Sequence, residues 1–414
     1  MRYLILTISL FSSSFLLGQN FETYYKAAAN NNLQLKAVFN QYYSIRERTA
    51  QVKLPNPSIA LGVFILPVET RLGAQRFKLS ATQMFPAFGA LKAQKSLINE
   101  QGFLKLQEAT ILRNELYFKL RNIWHQATAI KAFVRIELQH LKLLEILEQL
   151  ALQKIETGNG SLADVYQLKI QQNDQKANVD LLNNKLPVLE LAFANIIQED
   201  SLPFPATVDT IALRMLTYSE DSLTEWIRRQ NPQIGLLAAK KRVTKEKMSI
   251  QKTKNRPSYG LGLDYAFLTK RTDADPPQNG QGILMPMFSI KVPIYKTKNQ
   301  ARLKEVAFEL IALEYQEAQL MSDLEVQLEN TLTNYRAAQI NVKRYRKQVD
   351  FTQKTLDLLL IQYSVDNKGF DEVLKLESML LNYQKKLVEY ALLQNQSLIR
   401  IEQLFAQPLF NEQR

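Results

Sequence analysis

Short segments of the chain place an apolar side chain at every second position. Residues 59–65 and 259–267 alternate apolar residues with small or polar ones, and residues 77–82 and 288–292 repeat the pattern more weakly. Because successive side chains of a β-strand point to opposite faces, each segment predicts a strand. One face of each strand is apolar, and the other carries small, polar or charged side chains.

Long segments between these strands have the period of a helix instead. Residues 91–155 contain a single glycine and no proline, and residues 298–363 contain neither. Within them apolar residues recur at steps of four and three, which is the spacing of coiled-coil packing. Roughly 65 residues of helix extend on the order of 100 Å, which is too long for a compact domain. We therefore expect antiparallel helical hairpins, completed by shorter helices over residues 21–53 and 161–197, the second of which is interrupted at Pro187.

The same order of elements occurs twice, with a period of about 200 residues. Matching segments begin at Asn31 and Asn231, and again at Pro57 and Pro257. Each repeat reads as helix, strand, strand, long helix, tight turn and helix. The sequence therefore predicts a signal peptide at residues 1–18, a first repeat at 19–198, a linker at 199–225 and a second repeat at 226–414.

The predicted strands are long enough to cross a bilayer, but four of them are too few to close a β-barrel. Each is about ten residues long, the length that crosses a membrane at a tilt of about 45°. The open edges of so small a sheet would leave backbone groups unpaired in lipid, so several chains must close one barrel together. Taken alone, the strands are equally compatible with soluble hairpins that pack through their apolar faces.

The amino terminus indicates export. Arg2 precedes an apolar run over residues 3–17, which ends at Gly18 before polar sequence, and this is the outline of a secretory signal peptide. The 414-residue chain is 46% hydrophobic and 22% charged, too polar for a bundle of membrane helices. No second apolar run of about 18 residues follows. The sequence predicts an exported protein without a transmembrane helix.

Candidate chemistry is sparse. The chain has no cysteine, which excludes disulfides, thiolate metal sites and lipid attachment through an amino-terminal cysteine. His125 and His140 lie in helical patterns without a third ligand nearby, so we interpret them as ordinary helix residues. The net charge of +12 is spread along helices and interleaved with Glu and Gln, which indicates a solvated surface and no nucleic-acid partner. We find no catalytic triad, phosphate-binding loop, metal site or cofactor motif, and we predict that the protein is not an enzyme.

The chain resembles the TolC-type outer-membrane efflux proteins over essentially its whole mature length. The resemblance is carried by the doubled layout, the proline-led strands at Pro57 and Pro257, the strand-to-helix joint at residues 85–89, and the paired turns at residues 158–165 and 367–373. It implies a mainly helical fold with long hairpins, and a homotrimer in which each chain gives four strands to a twelve-stranded β-barrel. It implies a passive exit duct in the outer membrane of a Gram-negative bacterium, with its helices in the periplasm.

The resemblance also implies partners, namely a periplasmic membrane-fusion adaptor and an inner-membrane efflux pump, besides outer-membrane lipid. In these proteins the two turns form the tip that the adaptor contacts. The corresponding residues here are Gly158, Gly160, Ser161, Leu162, Lys368, Gly369 and Phe370. Glycine and serine at such turns also close the hairpin and cap the next helix, with Ser161 or Asp371 as the expected N-cap.

A channel constriction made of acidic rings is a further implication of the resemblance. Asp164 and Glu372 occupy corresponding positions after the two turns, and threefold symmetry would make each a ring of carboxylates that favours cations. Asp371 adjoins this ring, and Lys375 stands where a second carboxylate is expected, so it can pair with Glu372 or Asp371 and weaken the ring. The alternative is that these acids are solvated first-turn residues favoured by the helix dipole.

Two questions stay open from the sequence. The alternative to a duct is a secreted structural coiled-coil protein, similar to an adhesin, with soluble hairpins. Residues 66–75, which we expect to form a surface loop, resemble family members that work with heavy-metal pumps, and heavy-metal cations are therefore one predicted cargo. Drugs, dyes and secreted peptides are the others.

Overall fold

A computed structural model of the chain describes residues 21–199, 202–204, 211–365 and 369–406. The predicted signal peptide lies outside the described residues. The helices are α1 Phe21–Asn31, α2 Leu33–Ala50, α3 Ala90–Glu156, α4 Leu162–Asn183, α5 Leu186–Ile197, α6 Glu220–Gln230, α7 Pro232–Lys254, α8 Lys296–Val365 and α9 Phe370–Phe405. The strands are β1 Ser58–Thr70, β2 Gly73–Phe85, β3 Ser258–Thr269 and β4 Ile283–Lys291. The fold is thus mainly helical, as predicted, and α6 begins within the predicted linker.

The long helices have the extent that the sequence predicted. α3 has 67 residues and α8 has 70, and each ends at a turn that leads into α4 or α9. Pro187 lies in the first turn of α5, where its missing N–H would have no helical partner, so α4 and α5 are separate helices. In the part of the chain that the structure describes, no helix is both long and apolar enough to cross a membrane.

The strands form one antiparallel sheet in the order β1-β2-β3-β4. The predicted alternation is confirmed, because apolar residues such as Leu61 and Leu263 are 66% and 46% exposed on one face. On the other face Asp264 is only 2% exposed and is paired with Lys78. β1 and β4 are the edge strands, and each leaves one row of backbone groups without a strand partner in the described chain.

The expectation of a surface loop at residues 66–75 is wrong. β1 continues to Thr70 and β2 begins at Gly73, so a tight turn joins them. The Thr70 hydroxyl closes this turn, donating to the Gly73 carbonyl at 2.6 Å and accepting from the Leu72 N–H at 3.3 Å. Gly73 has φ +127°, and a side chain there would collide with the backbone of Thr269 on β3. The turn is therefore fixed by contacts with a strand that is distant in sequence.

The described chain divides into two compact units. One contains the residues up to Lys36, residues Ile111–Asn231 and the residues from Asp323 onward. Its buried side chains include an aromatic cluster around Tyr24 and Phe193. It also buries Glu402 completely, between Arg121 at 3.4 Å and Arg214 at 2.7 Å. Two cations around one buried carboxylate keep the charges paired in the interior.

The other unit contains residues Ala37–Thr110 and Pro232–Ser322, and therefore the whole sheet. Ion pairs join its helices: Lys247 to Glu309 at 3.0 Å, and Arg242 to Glu100 at 2.8 Å. The Arg242 guanidinium also lies 4.3 Å from the centre of the Phe103 ring. Side chains predicted to be solvated charges thus pair across neighbouring helices.

Two asparagines make similar contacts within the first unit. Asn32 separates α1 from α2, and its amide accepts from the Leu35 N–H at 3.1 Å. The same side chain donates to the carbonyl of Ile196 at 3.4 Å, near the end of α5. Asn231 separates α6 from α7 and donates to the carbonyl of Leu404 at 2.7 Å, near the end of α9. Each asparagine satisfies a carbonyl at the end of a helix.

Candidate functional site at the helical turns

The turn after α3 is closed by backbone hydrogen bonds that require glycine. The N–H of Asn159 donates to Lys154 at 2.8 Å, and that of Gly158 donates to Ile155 at 3.0 Å, the pair of bonds that ends many helices. Gly158 has φ +75°, with nothing within 4 Å of the place where a side chain would begin. At Gly160 the same position lies 2.5 Å from the backbone nitrogen of Ile155. Gly158 is therefore needed for its conformation, and Gly160 for lack of space.

Ser161 caps α4, as predicted. Its backbone is extended, and its hydroxyl accepts from the Ala163 N–H at 3.2 Å. Leu162 follows with 58% of its surface exposed, and Tyr166 and Ile170 are 60% and 63% exposed. A spacing of four residues puts these side chains on one side of the helix. The first turn thus presents an exposed apolar stripe beside an exposed loop.

The second turn differs from the first. Lys368 lies outside the described residues. Gly369 stands immediately before α9 with φ +102° and makes no side-chain cap, so the expectation that Asp371 caps this helix is wrong. Phe370 is buried against Tyr363, with ring centres 5.7 Å apart, and supports the turn from inside.

The acids of the predicted constriction lie at equivalent places. Asp164 is the third residue of α4 and Glu372 is the third residue of α9. Asp164 is half-buried, whereas Glu372, Asp371 and Lys375 are exposed. Among the described residues no ion pair joins Lys375 to either acid, so the predicted softening of the ring by pairing within one chain is not seen.

Electrostatics link Asp164 to the other hairpin. Burial raises the pKa of the Asp164 carboxyl, and repulsion from Asp371 raises that pKa further. Burial also raises the pKa of the Tyr363 hydroxyl, with a smaller contribution from the negative charge of Asp164. Within one chain, the acid whose negative charge acts on Asp164 is therefore Asp371. Sequence spacing could not reveal this, because it depends on how the two hairpins pack.

One hydrophobic cluster positions both turns. Its buried members come from both hairpins and include Leu147, Ala151, Val165, Leu168, Tyr363, Phe370, Val373 and Leu374. The Lys154 ammonium lies 4.1 Å from the centre of the Tyr363 ring at the edge of this cluster. Because the cluster fixes the first turns of α4 and α9, it also fixes where their acids point.

Both histidines lie within the long helix α3, as predicted. His140 is buried, and its ring nitrogens are 2.7 Å from Glu377 and 2.9 Å from Gln384. Burial lowers the pKa of His125 to about 4, with further lowering by Arg121 and Arg214. Across the described part of the chain, no three His, Asp or Glu side chains are grouped so that they could hold a metal ion. The partners of His140 lie more than 230 residues away along the chain, so neighbouring positions in the sequence do not reveal them.

Comparison with known proteins gives a consistent result for the fold. No protein-family model matches the sequence, and neither does any curated protein. Among solved structures, CusC, studied for the changes that accompany folding and transmembrane channel formation, matches with a TM-score of 0.76 and 13% identity over 94% of this chain and 93% of that one. The outer membrane protein VceC of Vibrio cholerae matches with a TM-score of 0.72 and 14% identity, covering 94% and 97%.

The open state of the MtrE outer membrane channel of Neisseria gonorrhoeae gives a similar value, with a TM-score of 0.73 and 13% identity, covering 95% and 90%. The similarity therefore extends over nearly the full length of each chain. At such low identities it establishes the fold alone. The chain has the fold of these outer-membrane channels, as its resemblance to the TolC-type proteins predicted.

Proposed function

We propose that the protein is a passive exit duct in the outer membrane, formed by three copies of the chain. The observation that carries this proposal is the two-faced sheet, whose apolar face is exposed over its whole width. The outer edges of β1 and β4 have no strand partner among the described residues. An exposed apolar face of this kind is unfavourable in water and favourable in lipid. Its open edges are unfavourable in lipid, and pairing β4 of one chain with β1 of the next removes them.

Closure by three chains gives a twelve-stranded barrel with its polar faces inside. The long helices then continue the barrel as a tube into the periplasm. The exposed first turn and the Leu162 stripe are the surface that we assign to a periplasmic membrane-fusion adaptor, which connects the duct to an inner-membrane pump. In this proposal the chain itself performs no chemistry.

We assign the channel constriction to Asp164, Asp371 and Glu372. Three copies would bring nine carboxylates to one end of the tube, counting these acids in each chain. Burial raises the pKa of Asp164, and repulsion from Asp371 raises it further, so these acids already repel one another within a chain. Such a ring attracts cations and resists closure, so contact with an adaptor at the tip can shift it between closed and open states.

Single-channel conductance of the purified protein tests both parts of the proposal. Detergent extraction from outer membranes should yield trimers that change mobility on heating. The double variant Asp164→Ala/Glu372→Ala should lose most of the cation preference and of the block by divalent cations. The matched control is Asp174→Ala/Glu389→Ala, which removes two exposed acids from the same helices farther from the turns.

The outcomes separate the alternatives. A soluble, elongated protein that is never found in the membrane would contradict the duct and support the secreted structural protein. Conducting trimers whose ion preference is the same in both double variants would keep the duct and remove the acidic constriction. Heavy-metal cations remain a predicted cargo that rests only on the sequence resemblance of residues 66–75.

A further inference from the structure

A cavity lies where the sheet meets the helices. It has a volume of about 590 Å³, within the range of sites for small molecules. Three junctions in the chain form its walls: β2 to α3, α7 to β3, and β4 to α8. Ser258 and Lys291, the last paired residues at this end of β3 and β4, mark its boundary with the sheet.

The cavity is lined by cations without acids. Its charged lining residues are Lys254, Arg256, Lys291, Lys298 and Arg302. Within the described chain none of them forms an ion pair, and Arg256 donates only to the backbone carbonyl of Phe88 at 3.2 Å. Like charges gathered in one concave site repel one another unless an anion joins them.

A neighbouring cavity shows that this arrangement is not general on the protein. That cavity has a volume of about 540 Å³ and is lined by Glu305 and Glu309 as well as by cations. Glu309 pairs with Lys247 at 3.0 Å. Lys254 lines both cavities, whereas Arg256, Lys291, Lys298 and Arg302 line the first, which has no acid in its lining.

The start of α8 adds to the positive potential of the cavity. Its first turn contains Lys296 and Lys298 and no acid. The amino-terminal end of a helix carries a partial positive charge, so lysines are unfavourable there and an anion is favourable. A bound anion would offset both this local cost and the repulsion among the lining cations.

Apolar side chains stand beside the cations. Val292, Ile294 and Tyr295 line the same cavity and are 55%, 69% and 71% exposed. The site therefore suits a molecule with an anionic head and an apolar portion. If the sheet spans the bilayer, as the proposed function requires, the cavity lies at the level of the lipid headgroups at the end of the sheet that joins the helices.

We propose that this cavity binds the phosphate group of an anionic phospholipid. The inference rests on the proposed function for the position of the cavity in the membrane, and on the lining residues for its chemistry. Lys254, Lys298 and Arg302 hold the phosphate, and Ile294 and Tyr295 contact the first carbons of the chains. Such a contact anchors the duct at the membrane surface, where cations attract anionic lipid.

Native mass spectrometry of delipidated trimers in detergent tests the proposal. Phosphatidylglycerol should bind at least about tenfold more tightly than phosphatidylcholine. Lys254→Gln/Lys298→Gln should remove this preference, because each lost cation should weaken the binding of phosphatidylglycerol roughly fivefold. The control Lys252→Gln/Lys304→Gln removes the same charges from exposed positions on the same helices outside the cavity, and it should bind as the unaltered protein does.

Three results would overturn the inference. Equal binding of the two lipids would do so, and so would equal loss of binding in both double variants. Displacement of the lipid by inorganic phosphate at a similar concentration would assign the site to a free anion instead. Membrane extraction and conductance are measured on the same samples, so conducting trimers without a lipid preference leave the proposed function intact. Failure of the proposed function appears earlier, as protein that does not form membrane trimers.

Discussion

At the scale of single residues, contacts with residues distant in sequence determine the protonation of buried groups in the helices. His125 is the clearest titrating example. Burial lowers the pKa of its imidazole in the folded protein to about 4, with further lowering by Arg121 and Arg214. The folded protein therefore keeps this imidazole neutral until the pH falls to about that value. In the unfolded chain the same imidazole takes up a proton near its ordinary pKa of 6.5. Acidification between these values therefore protonates the unfolded state first.

We predict that His125 makes the fold acid-sensitive. As the pH falls from 7 to 4, the free energy of unfolding should decrease by up to about 3 kcal/mol through this residue. Below pH 4 its contribution should stay constant. In His125→Gln the decrease should be smaller by that amount. Chemical denaturation at a series of pH values measures this, and parallel pH profiles for the two proteins would contradict the prediction.

The sequence revealed few of these residue-scale contacts. Ser161 was predicted as an N-cap because capping depends on residues that are adjacent in the chain. Glu402 could not be predicted to bind Arg121, since the two are 281 positions apart. The proximity of Asp164 and Asp371 was missed for the same reason. Local patterns identify residues with a role, and tertiary packing decides which partner they meet.

At the scale of elements, local periodicity carried most of the information. α3 and α8 begin and end within about two residues of their predicted limits, because neither run contains a proline and the two together contain one glycine, the residues that most disfavour a helix. The break at Asn32 was not predicted, since it is stabilised by a carbonyl of α5. The hairpin between β1 and β2 was expected as a loop. The close approach of Gly73 to Thr269 of β3, a residue distant in sequence, was not visible in the local pattern.

The two glycines of the first turn give a test at this scale. Gly160→Ala should destabilise the turn by at least about 2 kcal/mol, because the new methyl group would meet the backbone at Ile155. Gly158→Ala has open space around it and should cost only about 1 kcal/mol, from its left-handed backbone. Hydrogen exchange of the amides around this turn reports the difference. Faster exchange in Gly158→Ala than in Gly160→Ala would contradict the steric argument.

At the scale of the whole molecule, the proposed duct requires the apolar face of the sheet to meet lipid. Leu61 lies on the exposed apolar face of β1, and its neighbour Ala60 lies on the opposite face, across from Ser80. Both belong to the same strand, and both are exposed in the single chain. The pair therefore separates a membrane-spanning sheet from a sheet that packs in water.

Arginine at these two positions should have different effects on assembly. Leu61→Arg puts a charge in the bilayer and should reduce the stability of membrane trimers by about 2–4 kcal/mol. Ala60→Arg puts the same charge on the face that would line the duct, so trimers should persist while conductance changes. Heat stability of extracted trimers on gels, with conductance of the survivors, measures both effects. If Leu61→Arg assembled normally and Ala60→Arg did not, the apolar face would not be the face that meets lipid. This result would contradict the proposed orientation of the sheet.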